Sequence, residues 1–171
     1  MPGKKFRPQS ISHSVNIQVS RFLLTLERYR GKRRLSQTPE PAAIVRKTNR
    51  HRFVVQEHHA TRLHWDFRLE LDGVLKSWAV PRGPPEEPGI RRLAVEVEDH
   101  PVDYIAFHGT IPKGSYGAGT VKIWDKGTFK LKTRTNDMYE FWLKGKCLKG
   151  KYALVRFKDK NWLLLKTKTE D

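Results

Sequence analysis

The sequence predicts a mainly β protein: a compact, closed or nearly closed antiparallel β-barrel with a short N-terminal helix and a basic tail. Three observations predict this class. After residue 50, short segments alternate apolar and polar residues; turn residues separate them at short intervals; and helical periodicity is confined to the first 30 residues. We expect a disordered basic tail over 1–15, a helix and basic linker packing on the barrel over 16–50, and the barrel over 51–171.

The predicted helix covers residues 17–30. Apolar residues recur at helical spacing on one face, and Asn16 is a plausible N-cap. These residues are Val19, Phe22, Leu23 and Leu26. The basic run over 30–34 that follows has two interpretations, a solvated linker or a segment that lies along a phosphate backbone.

The predicted strands follow in order from Arg52. They cover 53–57, 62–71, 74–80, 92–99, 120–124, 128–131, 139–143, 152–157 and 162–166. Asp72-Gly73 predicts a tight hairpin, and Asp125-Lys126-Gly127 predicts another. We expect the five tryptophans to pack mainly in the barrel.

Composition narrows the function classes. The chain has 171 residues and a net charge of +16, with 12 Lys/Arg against 2 Asp/Glu in residues 1–50 and 22 against 16 afterwards. Such a balance favours nucleic acid as substrate or partner. No apolar run reaches the length of a bilayer span, and residues 1–20 lack the apolar region of a secretory signal. The single Cys147 fits a reducing, cytoplasmic setting, and we expect it to be packed.

The strand over 62–71 has an unusual polar face. Its apolar positions share one parity, and the other parity carries His64, Asp66, Arg68 and Glu70. Residues two apart on a strand are about 6.5–7 Å apart, so His64 and Asp66 can reach one cation. His58 is the nearest third ligand, and His100 and His108 are further candidates.

Phosphate-binding groups accompany these ligands. Arg68 follows Asp66 on the same face, and alternation over 92–100 places Arg92 on one face with Glu98 and His100. Tyr104 lies four residues beyond His100. Arginine and histidine beside a divalent cation are typical of phosphoryl chemistry.

Several segments resemble the 3′-phosphoesterase domain of bacterial DNA ligase D. The resemblance runs in order over roughly residues 38–168. Its motifs are Phe53-Val54-Val55-Gln56-Glu57-His58, Leu63-His64-Trp65-Asp66-Phe67-Arg68-Leu69-Glu70, Leu75-Lys76-Ser77-Trp78-Ala79-Val80-Pro81, Arg92-Leu93-Ala94-Val95-Glu96-Val97-Glu98-Asp99-His100-Pro101 and Ile111-Pro112-Lys113-Gly114-Ser115-Tyr116-Gly117-Ala118-Gly119.

The resemblance implies a Mn²⁺-dependent enzyme that heals 3′ ends. Such enzymes remove a 3′-terminal ribonucleoside and then the 3′-phosphate from a DNA or DNA/RNA primer-template. By position, the metal ligands are His58, His64 and Asp66, and the phosphate-binding residues are Arg68, His100, Arg92 and Arg82. Residues that complete the site are Glu98, Tyr104, Gln56 and, in Thr38-Pro39-Glu40-Pro41, Glu40. We expect a monomer that acts with a separate ligase and polymerase.

The chain departs from the family pattern at two positions. Arg82 stands where the family usually has Lys, and Arg34 stands where an Asp often follows the arginine. Two other functions stay open: a non-catalytic nucleic-acid-binding barrel, and an Fe(II) oxygenase that uses His-x-Asp with a distant His.

Overall fold

Antiparallel pairing closes a ring of strands in the computed structural model, which describes residues 25–168. Eight strands form the barrel in the order β1-β2-β3-β4-β9-β8-β7-β6, and β6 pairs back with β1; β5 adds to the edge of β6. The fold class predicted from the sequence is therefore confirmed. The elements are α1 (Glu27–Gly31), β1 (Arg52–His59), β2 (Leu63–Leu71), β3 (Val74–Val80), β4 (Arg91–Pro101), a 3₁₀ helix (Val102–Ala106), β5 (Gly109–Ile111), β6 (Gly119–Arg134), β7 (Met138–Lys144), β8 (Lys149–Lys158) and β9 (Asn161–Lys166).

Alternation in β2 determines which of its side chains lie inside the barrel. Phe67, Leu69 and Leu71 are buried in the interior, and Trp78 and Trp162 pack there at 1% exposure. The opposite parity of β2 faces outward. Packing of the tryptophans is confirmed for Trp78 and Trp162, whereas Trp142 is 38% exposed. Cys147 is also exposed, so its predicted burial is wrong.

Two predicted hairpins have different outcomes. Asp72-Gly73 joins β2 to β3, with φ of 57° and 75°, as a two-residue hairpin turn requires. The hairpin at Asp125-Lys126-Gly127 is wrong, because β6 runs through it without reversing. The Asp125 carboxylate instead accepts N–H groups from the β7–β8 turn, Lys146 at 2.9 Å and Leu148 at 2.8 Å.

The N-terminal segment lies on the outer wall of β1–β4. Leu26 and Tyr29 are buried there against Val74, Leu75 and Tyr104, in a second apolar cluster outside the barrel. Only the end of the predicted helix lies among the described residues, as α1. The predicted N-cap Asn16, the apolar residues Val19 to Leu23 and the tail over 1–15 lie outside them. No helix within residues 25–168 is long and apolar enough to cross a membrane.

Strand β4 contains a bulge that changes its faces. Leu75 pairs with His100 while Ser77 pairs with Val97, so two residues of β4, Glu98 and Asp99, lie opposite the single residue Lys76 of β3. The extra residue interrupts the alternation. The prediction that Arg92 shares a face with Glu98 and His100 is therefore wrong.

Candidate active site

A cavity of about 270 Å³ opens on the outer wall of β1–β4, beneath the N-terminal segment. It brings together eight of the residues predicted from the sequence and several that were not. The predicted residues in its lining are Glu40, His58, His64, Asp66, Arg68, Glu98, His100 and Tyr104; the others include Arg33, Tyr116 and Gly117.

The predicted metal ligands form one donor cluster. His58 and His64 are paired residues of β1 and β2, and Asp66 follows two positions along β2. One nitrogen of each histidine and one carboxylate oxygen lie within 4.8 Å of one another. His58 Nδ1 and His64 Nε2 are each 3.4 Å from Asp66 Oδ2. This spacing suits three ligands around a shared cation.

Backbone carbonyls select the tautomer of both histidines. His58 Nε2 lies 2.7 Å from the Gly117 carbonyl, and His64 Nδ1 lies 3.0 Å from the Arg62 carbonyl. A carbonyl only accepts, so each of these nitrogens carries the proton. The other nitrogen of each ring faces Asp66 Oδ2 at 3.4 Å and would give its lone pair to a cation bound there. Such an outer hydrogen bond is the usual support of a metal-binding histidine, so the residues fit a divalent cation.

Asp66 is held as a carboxylate. Burial opposes its ionisation, but the Arg68 guanidinium, with Nη2 at 3.4 Å, helps to hold the pKa of Asp66 far below its ordinary value. The donor oxygen is therefore ionised at neutral pH.

Arg68 is fixed by Gln56 and keeps one donor unused. Its Nε donates to Gln56 Oε1 at 2.7 Å, and Gln56 Nε2 donates to the carbonyls of Tyr104 and Phe107. Arg68 Nη1 is buried with no hydrogen-bond partner among the described residues. A buried guanidinium N–H without a partner is costly, and an anion in the cavity would satisfy it. Gln56, predicted as a site residue, thus acts from behind the cavity wall.

His100 is a neutral imidazole in this arrangement. Its Nδ1–H donates to the Glu98 carbonyl at 2.8 Å, and Arg33 Nη2 donates to its Nε2 at 3.3 Å. Burial, together with the charges of Arg68 and Arg33, lowers the pKa of His100 well below its ordinary value. Nε2 is therefore an acceptor.

Arg33 is the main residue that sequence reasoning placed elsewhere. Of the two interpretations of its run, a solvated linker does not fit Arg33, because its side chain is 5% exposed and bridges two buried carboxylates. Nε donates to Glu40 at 2.8 Å, and Nη1 donates to Glu98 at 3.1 Å. Lys32 donates to the other Glu98 oxygen at 2.9 Å. Glu98, an acidic residue in a basic chain, was a signal, but its partner Arg33 lies 65 residues earlier.

Glu40 also bonds the 3₁₀ helix that follows β4. Its Oε1 accepts the Tyr104 hydroxyl at 2.9 Å, and its Oε2 accepts Thr38 Oγ1 at 2.9 Å. The predicted pair Glu40 and Tyr104 therefore ties the N-terminal segment to the site.

The structure does not bring Arg82 and Arg92 into this cavity. Both line a separate cavity of about 360 Å³ at the barrel end, with Trp65 and Trp124. The bulge in β4 separates Arg92 from His100. His108, a further candidate ligand, is exposed and bonds the Ala106 carbonyl. An Fe(II) oxygenase requires a distant histidine beside the His64-x-Asp66 pair. His100 faces Arg33 instead, and the cluster found among the described residues contains only His58, His64 and Asp66.

The fold and the donor cluster define a β-barrel protein with a candidate cation site beside buried arginines. The chain belongs to the family of DNA Ligase D 3′-phosphoesterase domains, because residues 56–156 match that family. This membership implies a phosphoesterase hydrolase, and the resemblance seen in the sequence is confirmed.

Relatives agree with this assignment. The chain is 47% identical over 158 residues to the multifunctional non-homologous end joining protein LigD of Mycolicibacterium smegmatis, covering 85% of this chain and 21% of that protein. It is 47% identical over 155 residues to LigD of Pseudomonas aeruginosa, covering 84% and 18%. For LigD of Mycobacterium tuberculosis the identity is 44% over 151 residues, covering 85% and 20%. The chain thus spans about a fifth of the length of these relatives.

Proposed function

We propose that this chain is a Mn²⁺-dependent 3′-end-healing phosphoesterase. It removes a terminal 3′-phosphate from the primer strand of DNA or DNA/RNA, and also a 3′-terminal ribonucleoside. The observation that carries the proposal is the three-donor cluster beside Arg68, whose Nη1 is buried without a partner among the described residues.

The donor set supports a divalent cation without selecting Mn²⁺. Imidazole and carboxylate ligands bind several divalent metals, and we propose Mn²⁺ because the family resemblance implies it. His58, His64 and Asp66 would hold the ion, which polarises a phosphoryl oxygen when bound.

The remaining residues bind the phosphate and handle protons. Arg68 donates from Nη1 to a phosphate oxygen and offsets charge on the phosphorus centre during hydrolysis. His100 is neutral, so we assign it the role of proton acceptor rather than donor to the leaving oxygen. Arg33 orients His100 through its 3.3 Å contact and forms ion pairs with Glu40 and Glu98. In the phosphatase step, water adds to phosphorus and gives a proton to His100 while the bond from phosphorus to the 3′ oxygen breaks. The 3′ oxygen takes a proton from solvent, so the products are a 3′-hydroxyl and inorganic phosphate.

The relatives' names support a role for the proposed reaction in non-homologous end joining. They are called multifunctional non-homologous end joining proteins. We propose that a ligase and a polymerase use the 3′-hydroxyl that this chain produces. Arg82 and Arg92, in the cavity at the barrel end, would contact the substrate outside the reacting phosphate.

The test supplies Mn²⁺ and a primer-template that ends in a 3′-phosphate. We expect the wild type to release phosphate and His64→Ala to release none. His59→Ala is the matched control, because His59 bonds Glu57 outside the cavity. It should retain wild-type activity. No release by the wild type, or equal release by His64→Ala, overturns the proposal; salt-sensitive binding without turnover would instead indicate a non-catalytic barrel.

A further inference from the structure

An exposed tryptophan lies on the barrel wall across from the cavity. Trp142 belongs to β7, and the ring order of the strands puts β6, β7 and β8 opposite β2, β3 and β4. Its side chain is 38% exposed, although tryptophan usually packs on an apolar neighbour when it lies on a sheet. Its neighbours in register are Lys130 on β6 and Lys151 on β8.

Lysines surround this ring. The Nζ atoms of Lys132 and Lys151 each lie 5.8 Å from the centre of the Trp142 ring. The neighbouring row pairs Lys144 directly with Lys149. Like charges directly opposite on paired strands destabilise a sheet. A bound polyanion would offset this repulsion.

The charge of this face is unbalanced. Three paired rows cross the strands: Thr128–Lys144–Lys149, Lys130–Trp142–Lys151 and Thr133–Glu140–Ala153. Their one carboxylate, Glu140, lies 3.9 Å from Lys151. We call the surface formed by the exposed residues Lys130, Lys132, Trp142, Lys144 and Lys149 and the half-buried Lys151 the β7 face.

We propose that the β7 face binds single-stranded nucleic acid, with phosphates on the lysines and a base stacked on Trp142. Base stacking on an exposed aromatic ring beside a row of cations is the usual recognition of unpaired strands. A duplex hides the faces of its bases, so it would leave Trp142 unused. The inference deepens the proposed function, because it assigns the unpaired part of the substrate to the wall opposite the reacting end.

The test measures binding of a dye-labelled single strand with a 3′-hydroxyl to the full chain by fluorescence anisotropy. Such an end is not a substrate, so the result does not depend on hydrolysis. We expect Trp142→Ala to weaken binding at least about five-fold. Lys130→Glu with Lys151→Glu should reduce the slope of log Kd against log salt by about 1.4 or more, because two phosphate contacts are lost.

Matched controls carry the same chemical changes elsewhere. Phe157→Ala removes another exposed aromatic ring, 57% exposed on β8, and Lys158→Glu with Lys160→Glu makes the same change in net charge. Both controls should bind the single strand more tightly than the matching β7-face variants. Melting temperatures compare the folding of all variants. Equal losses in variants and controls, or a loss as large for a blunt duplex as for the single strand, overturn the inference.

Discussion

The two halves of the cavity are assembled in different ways. The barrel half, His58, His64, Asp66 and Arg68, comes from two paired strands whose register places the side chains side by side. The segment half, Lys32, Arg33 and Glu40, is held by ion pairs to Glu98 and a hydroxyl contact from Tyr104. Sheet register brings the proposed metal ligands together, whereas charge pairing closes the cavity over them. The two halves should therefore fail differently when they are altered.

The largest expected effect comes from the segment half. Arg33→Ala leaves Glu40 and Glu98 buried without their shared cation, and we expect it to lower the free energy of unfolding by about 3–5 kcal/mol. Arg34 is exposed, so Arg34→Ala should change it by less than about 0.5 kcal/mol. Denaturant unfolding measures both. Similar small losses in the two variants would show that the segment half is not held by Arg33.

The barrel half should lose activity rather than stability. Arg68→Lys removes the planar fork whose Nε is bound to Gln56 and whose Nη1 is unused. We expect kcat for 3′-phosphate release to fall by about 10²–10³-fold.

Arg92→Lys is the matched change in the other cavity. Since Arg92 lies beside Trp65 and not beside His100, we expect less than about a ten-fold effect, mainly on KM. Steady-state kinetics with the 3′-phosphate primer separate the two outcomes. A kcat loss for Arg92→Lys as large as that for Arg68→Lys would contradict this separation of the cavities.

These comparisons also show what the sequence could predict. Alternation located His64, Asp66 and Arg68 correctly because β2 pairs without interruption along its length. The same reasoning placed Arg92 on the wrong face, because one extra residue in β4 is invisible to a period of two. Asp125-Lys126-Gly127 has the residue types of a hairpin turn. The Asp125 carboxylate does bind backbone N–H groups of a turn, but that turn is the distant one between β7 and β8. The run around Arg33 could be a solvated linker or a segment along a phosphate backbone, because the sequence does not show that its partner Glu98 lies 65 residues away.

A smaller effect should appear in the pH dependence of stability. Burial opposes ionisation of Glu98, but the hydrogen bond from Lys32 and the charge of Arg33 lower its pKa below the ordinary 4.5. A carboxyl whose pKa is lower in the folded state stabilises the fold above the unfolded pKa, and this contribution is lost as pH falls through the folded pKa. The wild type should therefore exceed Glu98→Gln in stability at pH 7, and the difference should shrink below about pH 4.5.

Unfolding curves of both proteins between pH 7 and 3 measure this difference. Other carboxyl groups titrate in both proteins, so the subtraction isolates Glu98. A difference that grows towards low pH would contradict the assigned pairing.

The smallest expected effect concerns the second proposed reaction. Arg34 lies next to Arg33 in the segment half, at the position where the family resemblance leads us to expect Asp. We expect Arg34→Asp to raise removal of a 3′-ribonucleoside by a few-fold, with little change in 3′-phosphate release. Primers with the two ends, assayed side by side, measure the ratio. Arg30→Asp is the control for the change in charge, and an equal rise in that variant would contradict a specific role for position 34.

Binding of Mn²⁺ to the purified protein tests the donor cluster most directly. We predict one Mn²⁺ per wild-type chain by titration calorimetry, with the same ion concentration restoring 3′-phosphate release after chelation. Asp66→Asn should lose both, because the carboxylate shared by His58 and His64 is gone, whereas His59→Ala should keep both. Unchanged Mn²⁺ binding in Asp66→Asn, or phosphate release by the fully chelated wild type, would contradict the account.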